Sequence, residues 1–182
     1  MMANEMFLDS ADQRSSVVSL AKQVGYTTRS ATSSQATIDV VVNNGSGASI
    51  TMSRGTKFTT TVDGTNYSFV NNADVSISPQ DGVYTFSDLV IYEGTYLNFK
   101  YTANTTDTDQ RFIIPNDNVD TNTLTVKVQE SSSDSTTNTY KLATGITAID
   151  STSKVFFLQE VENGRFEVYF GDGVLGQAIA DG

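Results

Sequence analysis

From residue 36 onward the chain alternates apolar and polar side chains with a period of two, and that alternation excludes most folds. Ala36, Ile38, Val40 and Val42 are interleaved with Thr37, Asp39 and Val41, a pattern suited to a β-strand with one covered face and one wet face. Further segments of the same kind lie at 49–52, 57–62, 67–70, 83–86, 96–101, 111–114, 123–129, 154–160 and 165–170. Turn residues separate nearly all of them. Asn43-Asn44-Gly45 closes the first; Asp63-Gly64 between TTTV and TNYSF, and Glu162-Asn163-Gly164 between VFFLQEV and RFEVYF, are hairpin signals. Thr, Ser and Asn are abundant, which favours strands with one solvated face over a densely helical interior. The expected fold is mainly β: an antiparallel, turn-rich, β-sandwich-like body.

The one departure from period two is at the start. Val17, Leu20, Ala21 and Val24 fall at i, i+3, i+4 and i+7, the stripe of an amphipathic helix over 9–24. Ser10 with Gln13 reads as a capping box, and Gly25 stands where a glycine would end the helix. A stripe this short needs something to pack on, either the chain's own sheet or helices of another chain. Residues 1–30 are therefore expected as a helical segment, 27–35 as a polar connector and 31–182 as the β-rich body. Its 182 residues suit one domain or two small lobes. If the body divides, the seam is expected near 103–110 or 130–139; ESSSDSTTN at 130–138 reads as a long loop in preference to a linker. No fixed-period repeat is visible, which disfavours solenoids and propellers.

Charge and composition remove several function classes. A formal net charge of −10 without any run of Lys or Arg repels phosphate backbones, so nucleic acid and anionic membrane are not expected partners. There is no cysteine and no histidine. Ser-His-Asp and Cys-His catalysis are therefore excluded, as are zinc sites of the usual kind. The opening MMANEMFLDS has neither a basic region nor an apolar core of a signal peptide, and 18 consecutive apolar residues occur nowhere. The expectation is a soluble protein synthesised in a cytoplasm, with no cofactor and no small-molecule substrate.

Five local patterns invite a chemical reading. Gly171, Gly173 and Gly176 match G-x-G-x-x-G. A dinucleotide site, however, needs a buried strand before the glycines and an acidic residue about 20 positions on. Here Phe166, Val168 and Phe170 alternate with Glu167 and Tyr169, implying a solvated face, and the sequence reaches only six residues past Gly176. A tight turn around Gly171, Asp172, Gly173 and Gly176 is the favoured reading. Ser19 and Lys22 fit the S-x-x-K of serine acyl-transferases, but S-D-N and K-T-G are missing. Glu160 and Glu162 suggest a glycosidase pair. Asp107, Asp109, Asp117 and Asp120 suggest an oxygen cluster for calcium, although Arg111 at the fifth loop position and the lack of glycine at the sixth rule out an EF-hand. For both carboxylate sets, solvated turns are the default. Tyr96, Phe99 and Tyr101 could offer a sugar-stacking face, with core and cross-strand packing favoured.

Taken in order, FLDSADQRSSVVSLAKQVGYTTRSATSSQATIDV (7–40), SRGTKF (53–58), YEGTY (92–96), RFIIPNDNVDTNTLTVKV (111–128), VFFLQE (155–160) and RFEVYFGDGVLGQ (165–177) resemble the baseplate wedge protein of T4-like contractile-tailed phages, within the broader baseplate J-like family. The resemblance runs from about residue 5 to the end. It implies a structural component of the virion's tail baseplate and no catalytic residues. It also implies partners: a second copy of the chain and a different third wedge protein, in wedges that close around the tail hub. Asp181-Gly182 falls inside the usual pattern, so a longer protein is expected. Gly171, Asp172, Gly173 and Gly176 match the family's FGDG-x-x-G, and the stripe Val17, Leu20, Ala21 and Val24 would serve an intersubunit bundle. The competing readings are a glycan-binding, adhesin-like β-domain on a virion or bacterial surface and, third, a glycosidase using Glu160 and Glu162.

Overall fold

The computed structural model describes residues 4–26, 28–43, 45–107, 110–145 and 147–181. Thr27, Asn44, Asp109 and Gly182, each part of an expectation above, lie outside the described residues. The fold is mainly β, with antiparallel sheets curled into half-barrels and one helix near the N-terminus. The expected class is borne out. The chain forms two compact units, one of Met1–Ala31 with Phe99–Gly182 and one of Thr32–Asn98.

Helix α1 (Arg14–Gln23) is shorter than the expected 9–24 and starts five residues later. The Ser10–Gln13 capping box does not form: Gln13 is the residue before the helix, and its side chain makes no cap bond. Glu5 does this work from upstream. Its carboxylate accepts the amides of Asp12 at 3.2 Å and Gln13 at 3.3 Å. Bonding to Ser16 and to these two amides keeps its pKa below the ordinary value despite the opposing cost of desolvation. A carboxylate at a helix N-terminus meets both the unpaired amides and the positive end of the helix dipole, which a neutral serine meets less well. The C-terminus is as expected. Gly25 takes φ +78°, its amide donates to Lys22 O, and that of Tyr26 donates to Ala21 O, the paired bonds of a Schellman ending.

The unit of Thr32–Asn98 contains β1 (Gln35–Val42), β2 (Ile50–Met52), β3 (Lys57–Val62), β4 (Thr65–Asn71), β5 (Val75–Ile77) and β6 (Tyr84–Glu93). Strands β1, β6, β4 and β3 form a sheet in that order, antiparallel throughout, and β2 pairs with β5. The core strand β6 buries Tyr84 and Phe86, then Leu89 and Ile91. The three-residue step between the pairs is a β-bulge: Asp88 takes φ +52° and donates its amide to Asp39 Oδ1 at 2.8 Å, where the register of β1 shifts. That bulge breaks the period of two, so the strand was legible only over 83–86. Asp63 at φ +49° and Gly64 at φ +80° form the β3–β4 turn that their sequence announced. Residues 96–101, expected as a strand, pair with none among the described residues. Their aromatic alternation has no ladder beside it.

The other unit contains β7 (Phe112–Ile113), β8 (Val126–Ser131), β9 (Asp134–Leu142), β10 (Val155–Glu160) and β11 (Phe166–Phe170) in the sheet order β7-β11-β10-β9-β8. Every pair is antiparallel except β9 with β10. The core is Ile114, Tyr140, Phe156, Phe166 and Val168. Edge-to-face contacts run from Tyr101 to Phe112, Phe170 and Tyr140 with centroids 5.9, 5.7 and 5.5 Å apart. Segment 130–138 is corrected: it is not a long loop but most of a β8–β9 hairpin. The ribbon is largely exposed, so nothing selects apolar side chains along it, and its hydrophobic signal vanishes while Thr supports the strand. Its turn is held by Ser131 Oγ, which accepts Ser133 N, and by Asp134 Oδ1, which accepts Thr136 N.

Two buried tyrosines make opposite predictions. Tyr84 donates its hydroxyl to Gly47 O at 2.6 Å, so Tyr84→Phe costs about 1 kcal/mol. The buried Tyr140 hydroxyl has no hydrogen-bond partner among the described residues, and burial raises its pKa. Tyr140→Phe is therefore neutral or stabilising. Urea denaturation of the two variants checks the difference in sign.

Candidate functional site

The hairpin of β10 and β11, closed by Glu162-Asn163-Gly164 with Asn163 at φ +59°, gathers the unusual side chains of its unit. Glu160, at the end of β10, is only 1% exposed. Arg14, from the first turn of α1, reaches it with two bonds, Nε to Oε1 at 2.6 Å and Nη2 to Oε2 at 2.9 Å. Lys22, two turns along the same helix, donates to the Glu160 backbone carbonyl at 2.6 Å. One glutamate thus receives both ends of the helix. Such a fork-to-fork arrangement meets the carboxylate's demand for partners away from water.

A second pair lies across the hairpin. Glu167 accepts from Arg111 Nε and Nη2, both at 2.8 Å, and from Gln159 Nε2 at 2.8 Å. Sequence alternation put Glu167 on a solvated face; the residue is buried, because Arg111 and Gln159 supply the bonds that water would have made. Arg111 holds the Glu167 carboxyl below its ordinary pKa, against the opposing cost of burial. A lowered folded-state pKa gives stability that is present above the unfolded value of about 4.5 and lost as pH falls through the folded value. Between pH 5 and 3 the wild type is expected to lose more stability than Glu167→Gln, read from urea midpoints at each pH. Equal losses would dismiss the assignment.

After β11 the chain turns back through the three glycines. Gly173 and Gly176 both have φ +87°, and Gly173 N donates to Gly176 O at 3.1 Å. Asp172 Oδ1 accepts the amides of Val174 and Leu175, both at 2.9 Å, and these bonds hold its carboxyl below the usual range. The turn is stitched to the preceding loop by Gly176 N to Asp150 O and Gln177 N to Ser153 O. Gly171 has no room for a side chain: a Cβ there would lie 2.3 Å from the Gly176 carbonyl. The amides of Gly173, Val174, Leu175 and Gly176, which could greet a phosphate, are already bonded within the turn or to Asp150.

The remaining sequence-derived residues do not converge. Lys22 points to Glu160 O, so the Ser19–Lys22 pairing of an acyl-transferase is not made. Glu160 is occupied by Arg14 while Glu162 is exposed on the hairpin turn. Asp120 accepts from Asn122 N and Asp117 from Asn118 Nδ2; among the described residues no three acidic side chains group as metal ligands. Tyr96, Phe99 and Tyr101 are all partly exposed, with Arg54 over the Tyr96 ring at 5.8 Å. Of the helix stripe, Ala21 is buried and Val17 and Leu20 are half-buried, whereas Val24 is 75% exposed and Val18 takes the inner position. The two Arg–Glu clamps escaped sequence reading because their partners lie 146 and 56 residues apart.

Residues 98–182 match the family model described as bacteriophage baseplate wedge protein gp6, third domain. This stretch of the chain is similar to the baseplate wedge proteins. Over 98–182 the match bears out the resemblance read from the sequence, and it supports a structural role in the phage baseplate. No curated protein matches the chain. The gp6-type region begins one residue before the second segment of its unit and takes in β7 to β11, both acidic partners Glu160 and Glu167, and the glycine turn. Helix α1 lies outside the match, so Arg14 and Lys22 tether a separate segment to the gp6-type sheet.

Proposed function

We propose that the chain is a wedge subunit that joins other baseplate subunits around the tail hub, including a second copy of itself and a different third wedge protein. The carrying observation is the gp6 third-domain match over 98–182, which takes in the second segment of a compact unit and all of its β-strands. The carboxylates of Glu160, Glu167 and Asp172 are engaged in ion pairs and turn bonds, which suits a scaffold that holds shape. In this reading the chain is synthesised in the host bacterial cytoplasm and works in the virion.

The four stripe residues Val17, Leu20, Ala21 and Val24 divide their tasks. Ala21 is buried within the chain, while Val24, with Tyr26 and Met6-Phe7-Leu8, presents apolar surface to a neighbour. The glycine turn aims the segment that follows it. Co-expression with the other wedge subunits, followed by size-exclusion chromatography, is expected to yield one stoichiometric complex; separate elution would sink the proposal. Deleting 1–25 should weaken that complex. Binding on a glycan array without co-assembly would favour the adhesin-like reading.

A further inference from the structure

The hairpin of β3 and β4 projects from its sheet. β6 pairs with β4 only at Phe69, Val70 and Asn71, whereas β3 and β4 pair from Lys57↔Val70 to Val62↔Thr65. Residues 59–67 are consequently exposed without interruption, with Val62 at 52% and Tyr67 at 36%. A two-stranded ribbon with both faces wet is marginal by itself, and β3 is the terminal strand of the sheet. The two-residue turn at Asp63-Gly64 makes Val62↔Thr65 a hydrogen-bonded pair. Residues 58, 60 and 62 therefore bond inward to β4, and the backbone groups of 57, 59 and 61 point away from the sheet, with Asp63 following in the turn at φ +49°.

We propose that this outer edge docks on the same edge of a second copy, β3 against β3 in antiparallel register about a two-fold axis at Thr60. Only outward-pointing residues can exchange hydrogen bonds, so odd positions must face odd positions. The register that puts Thr60 opposite Thr60 then sets Lys57 against Asp63, Phe58 against Val62 and Thr59 against Thr61. Each is a favourable cross-strand pair: opposite charges, two apolar side chains, two hydroxyls. Slipping by two residues in one direction sets Lys57 against Thr61 and Phe58 against Thr60; slipping in the other sets Phe58 against Gly64. Both lose the ion pair and the apolar pair. An edge lysine ordinarily discourages strand addition; here the acidic turn residue of the other copy answers it. The strand thus selects itself as occupant over an unrelated peptide, which would gain the backbone bonds alone.

This gives a surface to the self-association proposed above and rests on that part of the reading. An interface of one strand pair is small, so the dimer is expected at concentrations on the order of tens of micromolar. The chain has no cysteine, so single-cysteine variants of the full chain report cleanly. Thr60→Cys sits opposite itself in a non-hydrogen-bonded pair, about 4.5 Å between Cα atoms. It should form a disulfide dimer at least about ten-fold faster than Thr59→Cys. In sedimentation equilibrium Thr61→Pro, which removes an outward amide and spares the backbone bonds to β4 while losing the side-chain bond from Thr61 Oγ1 to Asn66 Oδ1, should shift the chain to monomer with its circular dichroism unchanged. Lys57→Glu should weaken the dimer about ten-fold. Equal cross-linking at 59 and 60, or a dimer indifferent to both Thr61→Pro and Lys57→Glu, would overturn the edge and leave self-association standing. A chain that stays monomeric overturns both, while entry into a wedge is decided separately by co-assembly.

Discussion

Arg14→Ala lowers the stability of the gp6-type unit by about 3 kcal/mol and frees α1 from it. Removing one partner of a buried ion pair costs roughly 3–5 kcal/mol because the other charge is left without compensation. The low end applies here: the Arg14 side chain is 64% exposed while Glu160 is 1% exposed, so much of the guanidinium was never desolvated. Arg14→Lys should recover only part of the loss, since an ammonium cannot form the two parallel bonds of 2.6 and 2.9 Å. Adding Glu160→Met to Arg14→Ala should recover most of it, by exchanging an orphaned charge for an apolar side chain of similar size. Urea denaturation gives the free energies, and hydrogen exchange over 14–23 reports whether the helix has come loose. A loss below about 0.5 kcal/mol for Arg14→Ala would show that the pair is decorative.

Gly171→Ala is expected to open the C-terminal turn at a similar cost. The added Cβ would stand 2.3 Å from the carbonyl carbon and oxygen of Gly176 and 2.5 Å from Leu175 O. All three are backbone atoms, which have no rotamer to retreat into. Relief requires the turn to part, and with it the bonds Gly173 N to Gly176 O, Gly176 N to Asp150 O and Gln177 N to Ser153 O. At about 1 kcal/mol for each hydrogen bond the penalty is about 3 kcal/mol. Gly173→Ala is the control. It has φ +87°, and an added Cβ would meet only Ala178 Cβ at an ordinary contact distance of 4.0 Å, so only the backbone strain of about 1 kcal/mol remains. Thermal unfolding should rank Gly171→Ala well below Gly173→Ala; equal midpoints would mean that the close approach is absent in solution.

Elements whose signal is local were legible in the chain. Strand β3 occupies 57–62 as its alternation suggests, Asp63-Gly64 and Asn163-Gly164 turn with the positive φ angles that such pairs adopt, and Gly25 ends the helix. Where local signals competed with distant ones, they lost. Ser10 and Gln13 spell a cap, but a carboxylate at position 5 outbids a hydroxyl for the same amides. The ribbon at 130–138 carries no alternation because both its faces are largely wet, yet strand pairing with 126–131 forms it all the same. Phe99 and Tyr101 alternate without forming a strand, since alternation supplies a face and not a partner.

By itself the sequence determined the class of the fold, its principal turns, the exclusion of histidine and cysteine chemistry, and the kinship of its C-terminal part with baseplate wedge proteins. The first three follow from periodicity and composition, which act between near neighbours; the kinship is a resemblance carried by motifs such as IPNDNVDT at 114–121 and FGDG at 170–173. Tertiary structure alone decided that Glu160 and Glu167 would be buried, that Arg14 and Arg111 would answer them, and that β3 would end up as an open edge. Those outcomes depend on which strands come to lie side by side, and a charge can be taken out of water only where the folded chain brings its counter-charge within hydrogen-bonding reach.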